Sequence, residues 1–269
     1  MDQTEGVFRP SGVITLTTDF GLTDPFVGVV KGVIARLGPG LNVIDLCHEA
    51  PTFDPAIAGL WIGLCYRWFT PGSLHVAVVD PGVGSDRRIV CLLGSGHAFL
   101  APDNGLAGEL CRHLENWTAW TVDAEALELD VPSSTFHGRD IFAPVATMLA
   151  SGSTAPAALG PAAVDLIPSR LPRPTREPDH LDGEILLADR FGNLFTNIPG
   201  PIPDDWGGAA VNVGNRRMRV VRTYDEARSG EFIGVFNSFG LLEIALPRAS
   251  ARNQGRWPPG TAVRLSRTG

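Results

Sequence analysis

Leu74-His75-Val76-Ala77-Val78-Val79-Asp80-Pro81-Gly82 is a short apolar run stopped by an acid, a proline and a glycine. Its length, its valines and the turn formers that end it predict a buried strand over Leu74–Val79. Upstream, Val13–Thr17 reads the same way and ends at Asp19-Phe20-Gly21. Phe26, Val29, Val30, Val33, Ile34 and Leu37 then recur at helical spacing, predicting a helix over Phe26–Arg36. Leu41–Leu46 reads as a strand and Pro55–Phe69 as a helix apolar on most sides, hence well buried. Downstream, Ile89–Leu93 and His97–Ala101 read as paired strands around Gly94-Ser95-Gly96, followed by a turn at Pro102-Asp103-Asn104-Gly105. A helix over Ile141–Ser151 follows His137-Gly138-Arg139-Asp140. This alternation of strand and helix predicts an α/β domain with a largely parallel sheet.

The pattern changes after a proline-rich stretch that includes Leu171-Pro-Arg-Pro-Thr-Arg-Glu-Pro-Asp-His180. Residues 168–181 read as an extended linker between an N-terminal domain, 1–167, and a C-terminal domain, 182–269. Short strands fill the latter: Gly183–Ala188, Leu194–Ile198, Ala209–Val213, Arg217–Val221, Glu231–Phe236, Leu241–Ala245 and Ala262–Ser266. With no long helical pattern among them, the second domain is expected to be small and all-β.

Composition narrows the function. The 269 residues carry 22 Lys and Arg against 29 Asp and Glu, a formal charge of −7. A general nucleic-acid surface needs clustered cations and is not expected here. Hydrophobic residues make up 44% of the chain, which excludes disorder over the whole length. The start, Met1–Arg9, lacks the basic-then-apolar order of a secretion leader. The uncharged run 141–164 carries Pro144, Pro156 and Pro161 and is rejected as a membrane span. Cys47, Cys65, Cys91 and Cys111 lie far apart without metal or disulfide spacing, so a soluble cytoplasmic protein with no metal and no cofactor is expected.

Ligands of a parallel α/β sheet sit beyond the carboxyl ends of its strands. Asp19 and Asp80 fall there, and Asp189 follows Ile185–Ala188 in the second domain; each is equally an ordinary cap or turn former. In Asp80-Pro-Gly-Val-Gly-Ser-Asp-Arg87-Arg88 the glycines allow a tight turn, and either arginine can return toward Asp80. The same stretch also fits a plain hairpin with exposed arginines. It has neither the Walker spacing nor G-x-G-x-x-G. His137 has no i+4 histidine and no nearby cysteine, which argues against a metal site, and G-x-S-x-G is missing. Asn193 can pair with a purine edge while Phe191 or Phe195 supplies a wall, although Phe191-Gly-Asn193 is also a reasonable turn. Glu243 sits inside an apolar strand, where a charge needs a partner or a solvent face.

Six ordered segments carry a resemblance: Thr17-Thr-Asp19-Phe-Gly, Val78-Val-Asp80-Pro-Gly-Val-Gly, Ala101-Pro-Asp103-Asn104-Gly, Phe136-His137-Gly-Arg-Asp, Asp189-Arg-Phe-Gly-Asn193 and Asn237-Ser238-Phe-Gly-Leu-Leu-Glu243-Ile-Ala245. From about Ile14 to Arg252 the chain resembles the S-adenosyl-L-methionine (SAM) hydrolases, or SAM hydroxide adenosyltransferases, which are related to the SAM-dependent fluorinase and chlorinase. The resemblance implies a barrel-like C-terminal domain and a homotrimer with active sites between subunits. It also implies metal-free cleavage of SAM by water to adenosine and L-methionine. It carries the catalytic set onto Asp80, Arg87 and His137, and the ribose carboxylate onto Asp19. Asn193 and Phe195 match the adenine side together with Tyr224, and Asp189, Ser238 and Glu243 match the methionine side. Ala245 lies in the last matching segment, and Phe53 falls where the fluorinase packs a Trp on the ribose. The halogenases lack the hydrolases' Arg and His and place a Tyr before Ser or Gly where this chain has His137-Gly138, a departure that favours water over halide.

The chemistry suits those residues. The sulfonium is a good leaving group, so the difficulty is the nucleophile. Arg87 is expected to stabilise developing hydroxide while Asp80 and His137 orient the water and take its proton; if Arg87 pairs with Asp80, the carboxylate weakens as a base and His137 becomes the better acceptor. The alternatives are a halogenase that releases 5′-halo-5′-deoxyadenosine, and a SAM- or adenosine-binding protein without catalysis.

Overall fold

The computed structural model describes residues 8–202, 206 and 208–268, so most of the polar start Met1–Arg9 lies outside the described residues. The chain divides into two compact units, Met1–Arg170 and Leu171–Gly269.

In the first unit the order is β1 (Val13–Thr18), α1 (Phe26–Leu37), β2 (Asn42–Cys47), α2 (Pro55–Cys65), β3 (Leu74–Val78), β4 (Ile89–Gly94), β5 (His97–Pro102), α3 (Leu106–Leu110), β6 (Thr118–Thr121) and α4 (Ala143–Ser151). The sheet runs β2-β1-β3-β5-β4-β6. The pairs β1–β2, β1–β3 and β3–β5 are parallel, while β4 is antiparallel to β5 and β6. The period of two along β3 builds both cores. Val76 and Val78 meet Val30, Ile34, Val145 and Leu149 on one face, whereas Ala77 and the following Val79 meet Ala58, Ile62, Leu106 and Leu110 on the other. Because β1, β3 and β5 run the same way, Asp19, Asp80 and Asp103 all emerge beyond the same end of the sheet.

Helix ends follow local chemistry. Asp54 caps α2 by accepting the Ile57 N–H at 3.3 Å, with Pro55 pre-set in the first turn, and α4 stops at Gly152 in the left-handed region (φ 75°). The expected helix Pro55–Phe69 is α only to Cys65 and then tightens into a 3₁₀ turn, Tyr66–Trp68. The expected helix Ile141–Ser151 is regular only from Ala143, after a π turn over Gly138–Phe142. Pro144 has no N–H to continue the ordinary ladder there. Neither α3 nor β6 is foreseen by the sequence pattern, both being too short for periodicity to reveal.

The second unit holds β7 (Thr175–Arg176), β8 (His180–Ala188), β9 (Leu194–Pro199), β10 (Ala209–Val213), β11 (Arg216–Val221), β12 (Ile233–Phe236), β13 (Leu241–Ala245), α5 (Ala251–Gly255) and β14 (Ala262–Arg267). The order β14-β10-β11-β12-β13-β9-β8, with β14 also pairing β8, closes a seven-stranded barrel. Ile185, Leu194, Ile198, Val211, Met218, Ile244, Val263 and Leu265 fill it. Within the proline-rich stretch, Thr175–Arg176 is a short strand on β8. Just before that stretch, the Ile167 N–H is bonded to Asp103 at 2.8 Å.

Candidate functional site

The segment after β3 folds back on itself. Gly82 N–H donates to Asp80 Oδ1 at 3.2 Å, Ser85 Oγ donates to the Gly82 carbonyl at 2.6 Å, and Ser85 Oγ accepts the Arg87 N–H at 3.3 Å. Gly84 sits at φ 81°, and a Cβ there would lie 2.7 Å from the Ser134 carbonyl, so this bend needs glycine. The result brings Arg87 onto Asp80: Nε and Nη2 reach Asp80 Oδ2 at 2.7 and 2.5 Å. The two side chains are 9% and 4% exposed, so this is a desolvated ion pair.

The same guanidinium reaches His137. Arg87 Nη2 lies 2.7 Å from His137 Nδ1. A guanidinium only donates, so Nδ1 is the acceptor and the neutral ring carries its hydrogen on Nε2. Burial, then the Arg87 charge, hold the imidazole below the usual histidine range, while Asp80 and Asp140 pull weakly the other way. His137 opens the π turn, and the preceding Phe136 makes edge contacts with Phe20 and Phe26 (centroids 6.2 and 5.5 Å) with Arg139 over its ring. Asp19, beyond β1, accepts the Phe53 N–H on Oδ2 at 3.2 Å. Phe53 holds φ 60°, uncommon for a bulky residue, and its ring stands 69% exposed.

In the barrel unit, an open cleft of about 1440 Å³ is lined by Asp189, Asn193, Phe195, Tyr224, Ser238 and Glu243 among others. Asp189 accepts the Asn193 backbone N–H (2.8 Å) and side-chain amide (3.1 Å), which leaves the Asn193 carbonyl oxygen as the acceptor it can offer. Gly192, at φ 86° against Ser250, makes this turn possible. Glu243 is 2% exposed, and burial raises its pKa. Tyr224 Oη donates to its Oε1 at 2.7 Å and Asn237 Nδ2 to its Oε2 at 3.3 Å. The tyrosine hydroxyl is itself pushed up by burial and by that carboxylate. Ala245 is wholly buried in the small cluster with Val221, Ile233 and Val235, and its side chain is off the cleft lining.

Sequence reasoning passes over two groups that shape the first unit's loops. His48 Nδ1 bonds Thr18 Oγ1 at 2.9 Å and its carbonyl accepts the Gly21 N–H at 2.7 Å, which fixes the turn carrying Asp19. A lone histidine gives no such signal. Asp103 and Asn104 read as a turn, and nothing in their spacing points to the contacts they make. Among the described residues no group of three His, Cys, Asp or Glu gathers as metal ligands, and no helix is long and apolar enough to cross a membrane.

Comparisons with known proteins follow this division of the chain. The family model described as the SAM hydroxide adenosyltransferase N-terminal domain matches residues 14–160, and its C-terminal counterpart matches residues 183–264. An (R)-S-adenosyl-L-methionine hydrolase of Thermus thermophilus is 38% identical over 92% of this chain and 97% of its own. Another, from Salinispora arenicola, is 36% identical over 94% and 97%. The crystal structure of an uncharacterized conserved protein from Thermotoga maritima superposes with a TM-score of 0.85 at 30% identity, covering 94% of this chain and 100% of that one.

Proposed function

The chain belongs to the SAM hydroxide adenosyltransferase family, and from that membership we infer that it hydrolyses SAM to adenosine and L-methionine. Water oxygen attacks C5′, the C5′–S bond breaks with its electron pair going to sulfur, methionine leaves as a neutral thioether, and one proton is released. The observation that supports a role for Asp80, Arg87 and His137 is the single guanidinium shared by the carboxylate and the imidazole.

That sharing also supports a division of labour. Arg87 pairs with Asp80, the condition under which His137 is expected to take the proton. Yet Arg87 also occupies His137 Nδ1, so the imidazole faces the water as an Nε2–H donor. Asp80 Oδ1 accepts the Gly82 N–H at a long 3.2 Å and keeps lone-pair capacity for the leaving proton. Arg87 stabilises the oxygen as it gains hydroxide character, a service each well-placed group typically renders at about 10²–10⁴-fold in rate. Hydroxide and sulfonium charges cancel along the reaction, so a dry site favours it.

Substrate roles are proposed on the same footing. Asp19 holds the ribose diol with Phe53 against the sugar; Asn193, Phe195 and Tyr224 serve the adenine; Asp189, Ser238 and Glu243 serve the methionine ammonium and carboxylate, with Ala245 contributing backbone only. A homotrimer with sites between subunits is proposed as well, and sedimentation gives its mass directly.

The deciding experiment incubates the protein with SAM in ¹⁸O-water, with and without chloride or fluoride. One ¹⁸O in the adenosine 5′-hydroxyl and equimolar methionine is the expected result. A 5′-halo-5′-deoxyadenosine, or tight SAM binding with no product over hours, overturns it.

A further inference from the structure

The turn after β5, Asp103-Asn104-Gly105, grips both ends of the segment that carries Asp80 and Arg87. At the leading end, Asn104 Nδ2 donates to the Val79 carbonyl at 3.0 Å, immediately before Asp80. This carbonyl lies past the last β3–β5 register pair, Val76 with Leu100, where the strand ladder has ended. At the trailing end, Arg88 follows Arg87 directly. Its Nε and Nη2 reach Asp103 Oδ2 at 3.0 and 2.5 Å, and the Asp103 N–H returns to the Arg88 carbonyl at 2.9 Å. Asp103 is 1% exposed and its other oxygen accepts the Ile167 N–H, so the anchor is itself fixed.

We propose that Asn104 and Asp103 are positioning residues for the reaction, one turn setting the separation of the Asp80 carboxylate and the Arg87 guanidinium by clamping Val79 and Arg88. The inference rests on the proposed roles of Asp80, Arg87 and His137. Between the clamped points the chain is a bend held by short-range bonds, so movement at either anchor passes straight to the reacting groups. Misplacement of about 1 Å at such groups costs on the order of 10²-fold in rate.

Asn104 also accepts the Leu106 N–H on Oδ1 at 3.4 Å, a local bond at the start of α3 that has nothing to do with Asp80. Asn104→Asp separates the two duties: it keeps the acceptor for Leu106 and sets an oxygen against the Val79 carbonyl. The expected result is a kcat per folded molecule lowered at least about tenfold with KM for SAM within about threefold. Titration of the His137 ring by NMR supplies a readout independent of turnover. Arg87 faces that ring as a cation, and Asp80 and Asp140 as anions. Releasing Val79 shifts Asp80 together with the Arg87 paired to it, so the midpoint leaves its native value and the acid limb of the pH–kcat profile follows; in the neutral Asn104→Ser that shift is free of any added charge. Asn104→Ser, whose hydroxyl caps Leu106 without reaching Val79, serves if the aspartate variant folds poorly.

A wild-type midpoint and wild-type kcat in both variants overturn the inference, as does a rate loss that only tracks the folded fraction. Failure of the functional reading looks different. There the native protein releases no adenosine from SAM, while the His137 titration still reports whether Asn104 holds the Asp80–Arg87 pair in place.

Discussion

Replacing Arg87 in two ways separates its charge from its shape. Arg87→Ala takes the guanidinium from the Asp80 carboxylate, whose side chain is 4% exposed, and leaves it the 3.2 Å Gly82 N–H. Breaking a buried pair by removing one partner costs about 3–5 kcal/mol. At roughly 2–4 °C per kcal/mol for a unit of this size, melting should fall by roughly 6–20 °C. Arg87→Lys keeps a cation beside Asp80, so most of that stability returns. A single ammonium has no planar fork with which to hold Oδ2 and His137 Nδ1 together at 2.7 Å each. The lysine variant should therefore melt close to the native protein while kcat drops about 10²–10⁴-fold. Calorimetry and chromatographic adenosine release measure the two quantities on one preparation. Native turnover in Arg87→Lys would show that the shared guanidinium is not needed, and undisturbed melting in Arg87→Ala would show that the pair is not desolvated in solution.

Three further outcomes are expected. His75 lies against Thr15 and His97 (2.8 and 3.2 Å), and burial lowers its pKa to about 3; the unfolded imidazole protonates near 6.5, so unfolding takes up a proton between those values and stability falls as pH drops through that window, by about 1.4 kcal/mol per pH unit. Urea denaturation at several pH values should show that slope flattening in His75→Gln, and equal slopes contradict it. Tyr224→Phe removes the 2.7 Å donor that holds the Glu243 carboxyl down against burial, so Glu243 should protonate at higher pH and SAM affinity should begin to weaken at higher pH than in the native protein; calorimetric titrations with coincident pH profiles would refute this. Gly192→Ala forces φ 86° on an L-residue and drives a Cβ to 2.1 Å from Ser250 Oγ, so adenosine affinity should fall with a stability loss of about 1–3 kcal/mol, and an unaltered dissociation constant would show that the turn tolerates the methyl.

What can be read before the structure follows how local each signal is. β3 is legible because an apolar run and its Asp-Pro-Gly stop are contiguous, and the barrel strands because they alternate between turn formers. Leu106–Leu110 is a helix of barely more than one turn, too short for a period to accumulate, and it is held by burial of Leu106, Ala107 and Leu110 in the core and by its close approach to Gly59. The pairing of Arg87 rather than Arg88 with Asp80 is settled in the loop ahead of β4, where the two side chains part: Arg88 goes to Asp103 and Asp165 instead. The hydrogen on His137 Nε2 is a property of a contact between residues fifty positions apart. Nor does any spacing rule join His75 to His97, which meet because β3 and β5 lie side by side.

The barrel carries a hazard along with its closure. β14 is hydrogen-bonded on one side to β10 and on the other to β8, so a chain deprived of Ala262–Arg267 presents two bare strand margins at once. Each is an open template for a neighbour's backbone, and the pair sits on the same molecule, able to extend an aggregate in both directions. Nicking or premature termination there should yield insoluble polymer in preference to a weakened monomer.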